Sequence, residues 1–329
     1  MKAKKTLLLT RKDIEGLLDM PSILECVEKS FLDHAKGKTQ MPPKIYLNLP
    51  QYDGDFRAMP AYVESSDACV LKWVNVHTGN EKKGLPTVMA VVVLSDPRTG
   101  FPLAIMDGTA ITNYRTGASG GVAAKYLAPE GPCVVGLVGC GQQARTQLMA
   151  IREVRKVKRV YVWGHRPTLI KSFIKDMAVE KQEMIAASTI EECVMDADIV
   201  VTTTPSRKPL VKLEWLKKKV HINAIGADAK GKQELEINIL KNSKIVIDDW
   251  EQASHSGEIN DAVRGNRLSR QDIYANLGEI VAKKLKGRTE WDEMTVFDST
   301  GLAIQDAVVA KHVYKLAEKK GVGKPVSLV

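Results

Sequence analysis

The rhythm of hydrophobic positions along this chain changes near residue 115. Before it, short apolar runs predict strands at 69–75, 87–95 and 102–107, with Asp96-Pro97-Arg98-Thr99-Gly100 as the turn between the last two. Residues 40–49 and 55–59 read as extended segments punctuated by Pro42, Pro43 and Pro50. Strands joined by short turns give an antiparallel or mixed sheet. Residues 5–38 carry a helical pattern, with helix starts at Arg11-Lys12-Asp13-Ile14 and Pro21-Ser22-Ile23-Leu24.

Beyond Tyr114 the texture differs. Residues 116–127 are rich in Gly and Ala, as suits a helix lying close against another backbone. Apolar strand runs at 134–138, 160–163, 185–187, 199–203, 221–224 and 244–247 then alternate with helical patterns. That alternation predicts an α/β fold, a Rossmann-type doubly wound parallel sheet with helices on both faces. A last strand at 295–298 precedes an amphipathic helix at 302–319, which is expected to return to the first domain. The expected division is 1–115 plus 302–329, a discontinuous α+β domain, and 116–301, the nucleotide domain.

The run from Cys133 to Ala144 reads as a buried strand, a glycine turn and a helix over 143–154. Gly139 permits the turn, Gly141 clears the approach to a pyrophosphate, and Ala144 lets the helix pack on the strand. Backbone N–H groups at the helix start, with Gln142 and Gln143, face the phosphates and the helix dipole favours their charge. The second strand ends at Gly164-His165-Arg166, where an acid would bind the ribose 2′-OH of NAD. No acid stands there, and Arg166, helped by His165, suits a 2′-phosphate. The cofactor expected is NADP or NAD, with NADP favoured.

Net charge is +9, but the lysines are scattered and no basic run is interleaved with aromatics, which argues against nucleic acid. A positive field instead recruits an anionic cofactor and an anionic substrate. Five cysteines at wide spacing, without a C-x-x-C or a His partner, suggest reduced thiols, no metal site and a cytoplasmic protein. No apolar run is long enough to span a bilayer, and no secretory signal is evident.

In the first domain, Arg57 lies on a strand before Met59-Pro60, and Lys72 lies between apolar neighbours before Trp73. An Arg can hold a carboxylate by two parallel hydrogen bonds, and a Lys among apolar groups can titrate near neutrality. Each alone also fits an ordinary strand residue with its head in water. Arg115 adds a third cation at the domain junction. In the second domain the turns Thr203-Thr204-Pro205-Ser206, Ile225-Gly226-Ala227-Asp228 and Ser299-Thr300-Gly301 follow strands, so they lie at the carboxyl edge where open parallel sheets bind ligands. Asp228 fits a proton carrier or an N-cap, and Lys232 a phosphate contact or a solvated residue. His77 fits a ligand contact or a loop, and His255 a loop.

Met41-Pro42-Pro43-Lys44, Arg57-Ala58-Met59-Pro60-Ala61, Lys72-Trp73-Val74-Asn75, Gly84-Leu85-Pro86-Thr87, Arg115-Thr116-Gly117-Ala118, Gly139-Cys140-Gly141-Gln142-Gln143, Thr203-Thr204-Pro205, Gly226-Ala227-Asp228 and Asp298-Ser299-Thr300-Gly301 together resemble the ornithine cyclodeaminase/μ-crystallin family, and within it the archaeal alanine dehydrogenase branch. The resemblance covers nearly the whole chain. It implies a homodimer, with a substrate and dimerisation domain built from both chain ends. It also implies Arg57 as carboxylate binder and Lys72 as acid/base residue. Arg115 and Thr116 would sit by the cofactor, with Thr203, Thr204, Ile225, Gly226, Ala227, Lys232 and Ser299 along its nicotinamide half. At Gly164 the chain resembles the ketimine-reductase and crystallin members that lack the acid. The activity implied is NAD(P)-dependent interconversion of a small 2-oxo acid plus ammonia, or an imine, with an L-amino acid. The alternatives are ornithine cyclodeamination and a crystallin-like ketimine reductase or ligand-binding protein. Ornithine's distal ammonium needs a buried acid, which the cyclodeaminases resemble one another in placing in the segment ahead of Met-Pro; this chain has Arg57 there, which would repel the ammonium.

Overall fold

A computed structural model describes residues 4–328. The chain divides into two compact units, Met1–Arg115 with Leu302–Val329, and Thr116–Gly301. In the first unit it forms β1 (Thr6–Leu9), β2 (Thr39–Gln40), β3 (Ile45–Leu49), β4 (Gly54–Val63), β5 (Ala68–His77), β6 (Val88–Ser95) and β7 (Pro102–Asp107). The second unit adds β8 (Cys133–Val138), β9 (Val157–Trp163), β10 (Glu183–Ala186), β11 (Ile199–Thr202), β12 (His221–Ala224), β13 (Lys244–Ile247), β14 (Ile273–Asn276) and β15 (Thr295–Asp298). The chain then returns to the first unit as the helix Ala303–Lys320 and β16 (Lys324–Val326).

The first sheet runs β16-β1-β7-β6-β5-β4-β2, with β3 also on β4, and is antiparallel except for the β1–β7 pair. Its faces follow from strand alternation. Met59, Ala61 and Val63 of β4, Val70 and Val74 of β5, and Val92 and Leu94 of β6 are buried on one side. The helix Ala303–Lys320 packs against β4 and β5 and against the helix Met20–Ala35. The latter helix starts where the Asp19 carboxylate accepts the Ser22 N–H at 3.0 Å, and it buries Ile23, Leu24, Val27 and Phe31.

The second sheet is parallel throughout, in the order β10-β9-β8-β11-β12-β15-β13-β14. Strand order reverses between β8 and β11, the switch point at which such sheets open a crevice for ligands. Every residue of β11, β12 and β15 is buried, as strands covered on both faces require.

Three expectations need correction. Residues Thr6–Leu9 form a strand rather than part of a helix, because they pair with β7 and β16, whose positions no local pattern reveals. The helix expected at 116–127 begins eight residues earlier and spans Gly108–Leu127. His255 closes the helix Trp250–Ser256 and is not in a loop. Among the described residues no helix is long and apolar enough to cross a membrane.

Candidate active site

Alternation along β5 places Lys72 between Val70 and Val74 on the covered face, opposite Met59 of β4 and Val92 of β6. Its ammonium does not reach water: Lys72 is 0% exposed. The Lys72 Nζ donates to Asp306 Oδ2 at 2.7 Å and to Thr112 Oγ1 at 3.4 Å. The other oxygen of the same carboxylate, Asp306 Oδ1, accepts from Arg115 Nε at 3.1 Å. Arg115 Nη1 donates to Gln305 Oε1 at 3.3 Å. Burial draws the Lys72 amine down to about 7; Asp306 opposes that shift, and the Arg115 charge adds to it. Burial pushes Asp306 up, but Arg115 and Lys72 outweigh it and hold the carboxyl below its ordinary value.

Arg57 lies on the same face, two places from Met59, and it too is buried. Asp55 already grips it at two points, Nε to Oδ1 at 2.7 Å and Nη2 to Oδ2 at 3.2 Å. The guanidinium lies 5.3 Å from the centre of the Tyr46 ring. The heads of Lys72 and Arg57 are therefore not in solvent, as ordinary strand residues would have them. His77 bonds Asn75 through Nδ1 at 3.0 Å and meets Phe56 edge-on.

In the second unit, Gly139 follows β8 with φ +116°, which an L side chain rarely adopts, and its N–H donates to the Trp163 carbonyl at 2.9 Å. Gly141 caps the helix Gln142–Val154, and a Cβ built on it would meet nothing within 4 Å. The open space lies where a diphosphate would approach the first N–H groups of that helix. Parallel register aligns Val138, Thr202, Ala224 and Asp298, so the turns carrying Thr203, Ile225 and Ser299 leave the sheet at one edge. The Thr203 and Ser299 hydroxyls are buried there with no hydrogen-bond partner among the described residues. Orphaned polar atoms beside an open glycine turn fit a polar dinucleotide. Thr204 is buried with them, Pro205 is exposed, and Ala227 is fully buried. Thr116, which opens this unit, is buried, and its carbonyl accepts from Gln147 Nε2 at 2.8 Å.

Buried acids that no sequence motif marked tie those turns together. Glu234 accepts from the Thr204 N–H at 2.6 Å, from Thr204 Oγ1 at 2.7 Å and from the Gly226 N–H at 2.9 Å. Glu258 accepts from the Glu234 and Leu235 N–H groups, at 2.9 and 2.6 Å. Burial and the neighbouring Glu234 push Glu258 well above the carboxylate range. Asp248 accepts from the Thr300 and Gly301 N–H groups at 2.6 and 2.7 Å. Asp228 and Lys232 form an ion pair with each other at 2.5 Å. Of the missed residues, Asp306 alone left a trace in the sequence. It is an acid that, with Gln305 before it, interrupts the apolar run of Ala303, Ile304, Ala307 and Val308.

Over residues 4–321 the chain matches the sequence profile of the ornithine cyclodeaminase/mu-crystallin family. The chain belongs to this family. A family relative, the alanine dehydrogenase of Archaeoglobus fulgidus, is 49% identical over 98% of each chain. The structure of an archaeal alanine dehydrogenase dimer with bound NAD superposes with a TM-score of 0.93 at 48% identity, covering 99% of this chain and 100% of that one. The Thermococcus litoralis Δ1-pyrroline-2-carboxylate reductase, in complex with NADH and L-proline, superposes at 0.95 with 39% identity, covering 98% of this chain and 100% of that one.

Proposed function

We propose that this family member is a nicotinamide-dependent amino-acid dehydrogenase that interconverts L-alanine with pyruvate and ammonia. The observation that carries the reading is the buried Lys72, poised near neutrality between Asp306 and Arg115, in a chain so similar to alanine dehydrogenases. In the deaminating direction neutral Lys72 takes the proton that leaves the substrate amine, and water then adds to the carbon of the resulting imine and displaces ammonia. In the aminating direction its protonated form returns that proton to nitrogen. Arg57 and Arg115 provide the positive charge that a carboxylate substrate needs. A nicotinamide cofactor, when bound, would supply or accept the hydride. The residues that fit it are the Gly139–Gln143 turn, Thr203, Thr204, Ile225, Gly226 and Ser299. Reduction of a preformed imine is the second reading, favoured by the likeness to the pyrroline-carboxylate reductase. Cyclodeamination fits less well, because Asp55, the acid ahead of Met59-Pro60, is engaged by Arg57.

The test is oxidation of reduced cofactor with pyruvate plus ammonium, within a panel of 2-oxo acids, cyclic imines and ornithine. Pyruvate with ammonium is expected to be turned over. Ammonia released from ornithine with no net cofactor change would mark a cyclodeaminase instead. Tight cofactor binding with no turnover at all would mark a ligand-binding protein.

The enzyme acts as a homodimer, joined through the outer face of the first sheet. There Ile45, Leu47, Leu71, Trp73 and Val91 are 64, 52, 43, 42 and 47% exposed. Trp73 pairs with Val91 across β5 and β6, and Phe56 stacks on Trp73 at 5.2 Å, so the apolar row is continuous. Patches of this kind on a folded domain mark association surfaces. Trp73→Glu is expected to halve the mass seen by light scattering at micromolar concentration. A variant that keeps the wild-type mass, or a wild type that is already monomeric, would place the contact elsewhere or remove it. Its five free thiols suit a cytoplasmic location.

A further inference from the structure

We infer that Asp306 is a positioning residue of the reaction, a single buried carboxylate that holds the Lys72 amine on one oxygen and the Arg115 guanidinium on the other. The inference rests on the dehydrogenase reading above. The geometry lies wholly within the first unit. Asp306 and Lys72 are 0% exposed and Arg115 is 6% exposed, so none of the three charges is offset by solvent. Gln305, the residue before Asp306, fixes the far side of Arg115 and also accepts the Leu302 N–H at 3.3 Å. The first turn of the helix Ala303–Lys320 therefore sets both cations at once.

The groups facing Lys72 come from each element around it. Asp306 and Gln305 lie on that helix, Thr112 and Arg115 on the helix Gly108–Leu127, and the charge of Lys44 acts from the segment ahead of β3. Met59 and Val92, the flanking strand partners, carry no charge. Two cations thus share one anion. With Lys72 protonated the cluster is one charge positive and attracts a monoanionic substrate; with Lys72 neutral it is balanced. Asp306 lets Lys72 exist in both forms, which a proton carrier must do.

Two variants with opposite signs test this. Asp306→Asn keeps the shape and removes the charge, leaving Lys72 against Arg115 alone. Arg115→Gln removes the competing cation and leaves the carboxylate to Lys72. The Lys72 titration is read directly from the ¹³C shift of its labelled ε-carbon, identified by its loss in Lys72→Ala. It is expected to fall by about one pH unit or more in Asp306→Asn and to rise by a comparable amount in Arg115→Gln, as single charges at close range do. In parallel, the limb of the kcat/KM profile for alanine oxidation should move in the same two directions. A merely structural role would lower rates and leave both titrations where they are. Unmoved titrations, or shifts of the same sign, overturn the inference. If Asp306→Asn does not fold, Arg115→Gln decides alone. The carbon titration needs no turnover, so a wild type inactive on the whole panel sinks the dehydrogenase reading and still leaves the role of Asp306 measurable.

Discussion

Lys72→Ala is expected to lower kcat for pyruvate amination by about 10³-fold, the middle of the range that a positioned proton carrier contributes. Dinucleotide affinity should change by less than about two-fold, because a group acting only on the chemical step leaves binding intact. The removal also leaves Asp306 paired one-to-one with Arg115, so the buried charge stays balanced and the fold is retained. Arg57→Ala should behave differently and mainly raise the KM for the 2-oxo acid, since it removes a cation and exposes Asp55 to the substrate carboxylate. The pH profile gives a further sign. Lys72 accepts a proton only when neutral, and its amine sits at about 7, so kcat/KM for alanine oxidation should rise with pH and level off above that value. A Lys72→Ala enzyme that keeps more than a tenth of the wild-type rate, with the rising limb unchanged, would remove Lys72 from the chemistry.

The cations of this cluster stood out in the sequence, and their pairing with Asp306 did not. Arg57 and Lys72 stand out because a charge on a strand interrupts an apolar run, which is a local signal. Asp306 lies 234 residues from Lys72, and only the return of the chain to the first unit brings the two together. The same distinction runs through the fold. β12, β13 and β15 lie where their apolar runs predicted, because strands buried on both faces announce themselves. β14, Ile273–Asn276, has no such run, and β16, Lys324–Val326, contains Pro325 and is largely exposed. Both depend on partners supplied from elsewhere. Glu234 gave no signal because its function is to accept N–H groups from turns at residues 204 and 226, and backbone donors carry no residue code.

The wild-type enzyme is expected to prefer NADP(H) over NAD(H) by about ten-fold in kcat/KM, a difference of about 1.4 kcal/mol. The two archaeal structures compared above hold NAD and NADH, so this preference would belong to the loop at the end of β9. That loop has Gly164 where NAD-binding units carry an acid, then His165 set edge-on against Trp163 at 4.9 Å, then Arg166, exposed at the N-terminus of the helix Pro167–Met177. Without the acid, NAD loses a charged hydrogen bond at its 2′-OH, worth about 1.5–3 kcal/mol, and a 2′-phosphate meets Arg166 in place of a carboxylate. Gly164→Asp should reverse the order, but the change meets an obstacle. A Cβ at Gly164 would stand 2.7 Å from Cys140 Sγ, so the thiol must turn before the new carboxylate can reach the ribose. The double variant Cys140→Ala/Gly164→Asp should therefore swing further towards NAD than the single one, by about two decades from wild type in total, the sum of a gained ribose bond and a repelled phosphate. Arg166→Ala should weaken NADP alone. Steady-state constants for both cofactors in the four proteins settle it: a wild type that prefers NAD, together with an Arg166→Ala enzyme whose NADP constant is unchanged, would show that this loop does not read the 2′ position.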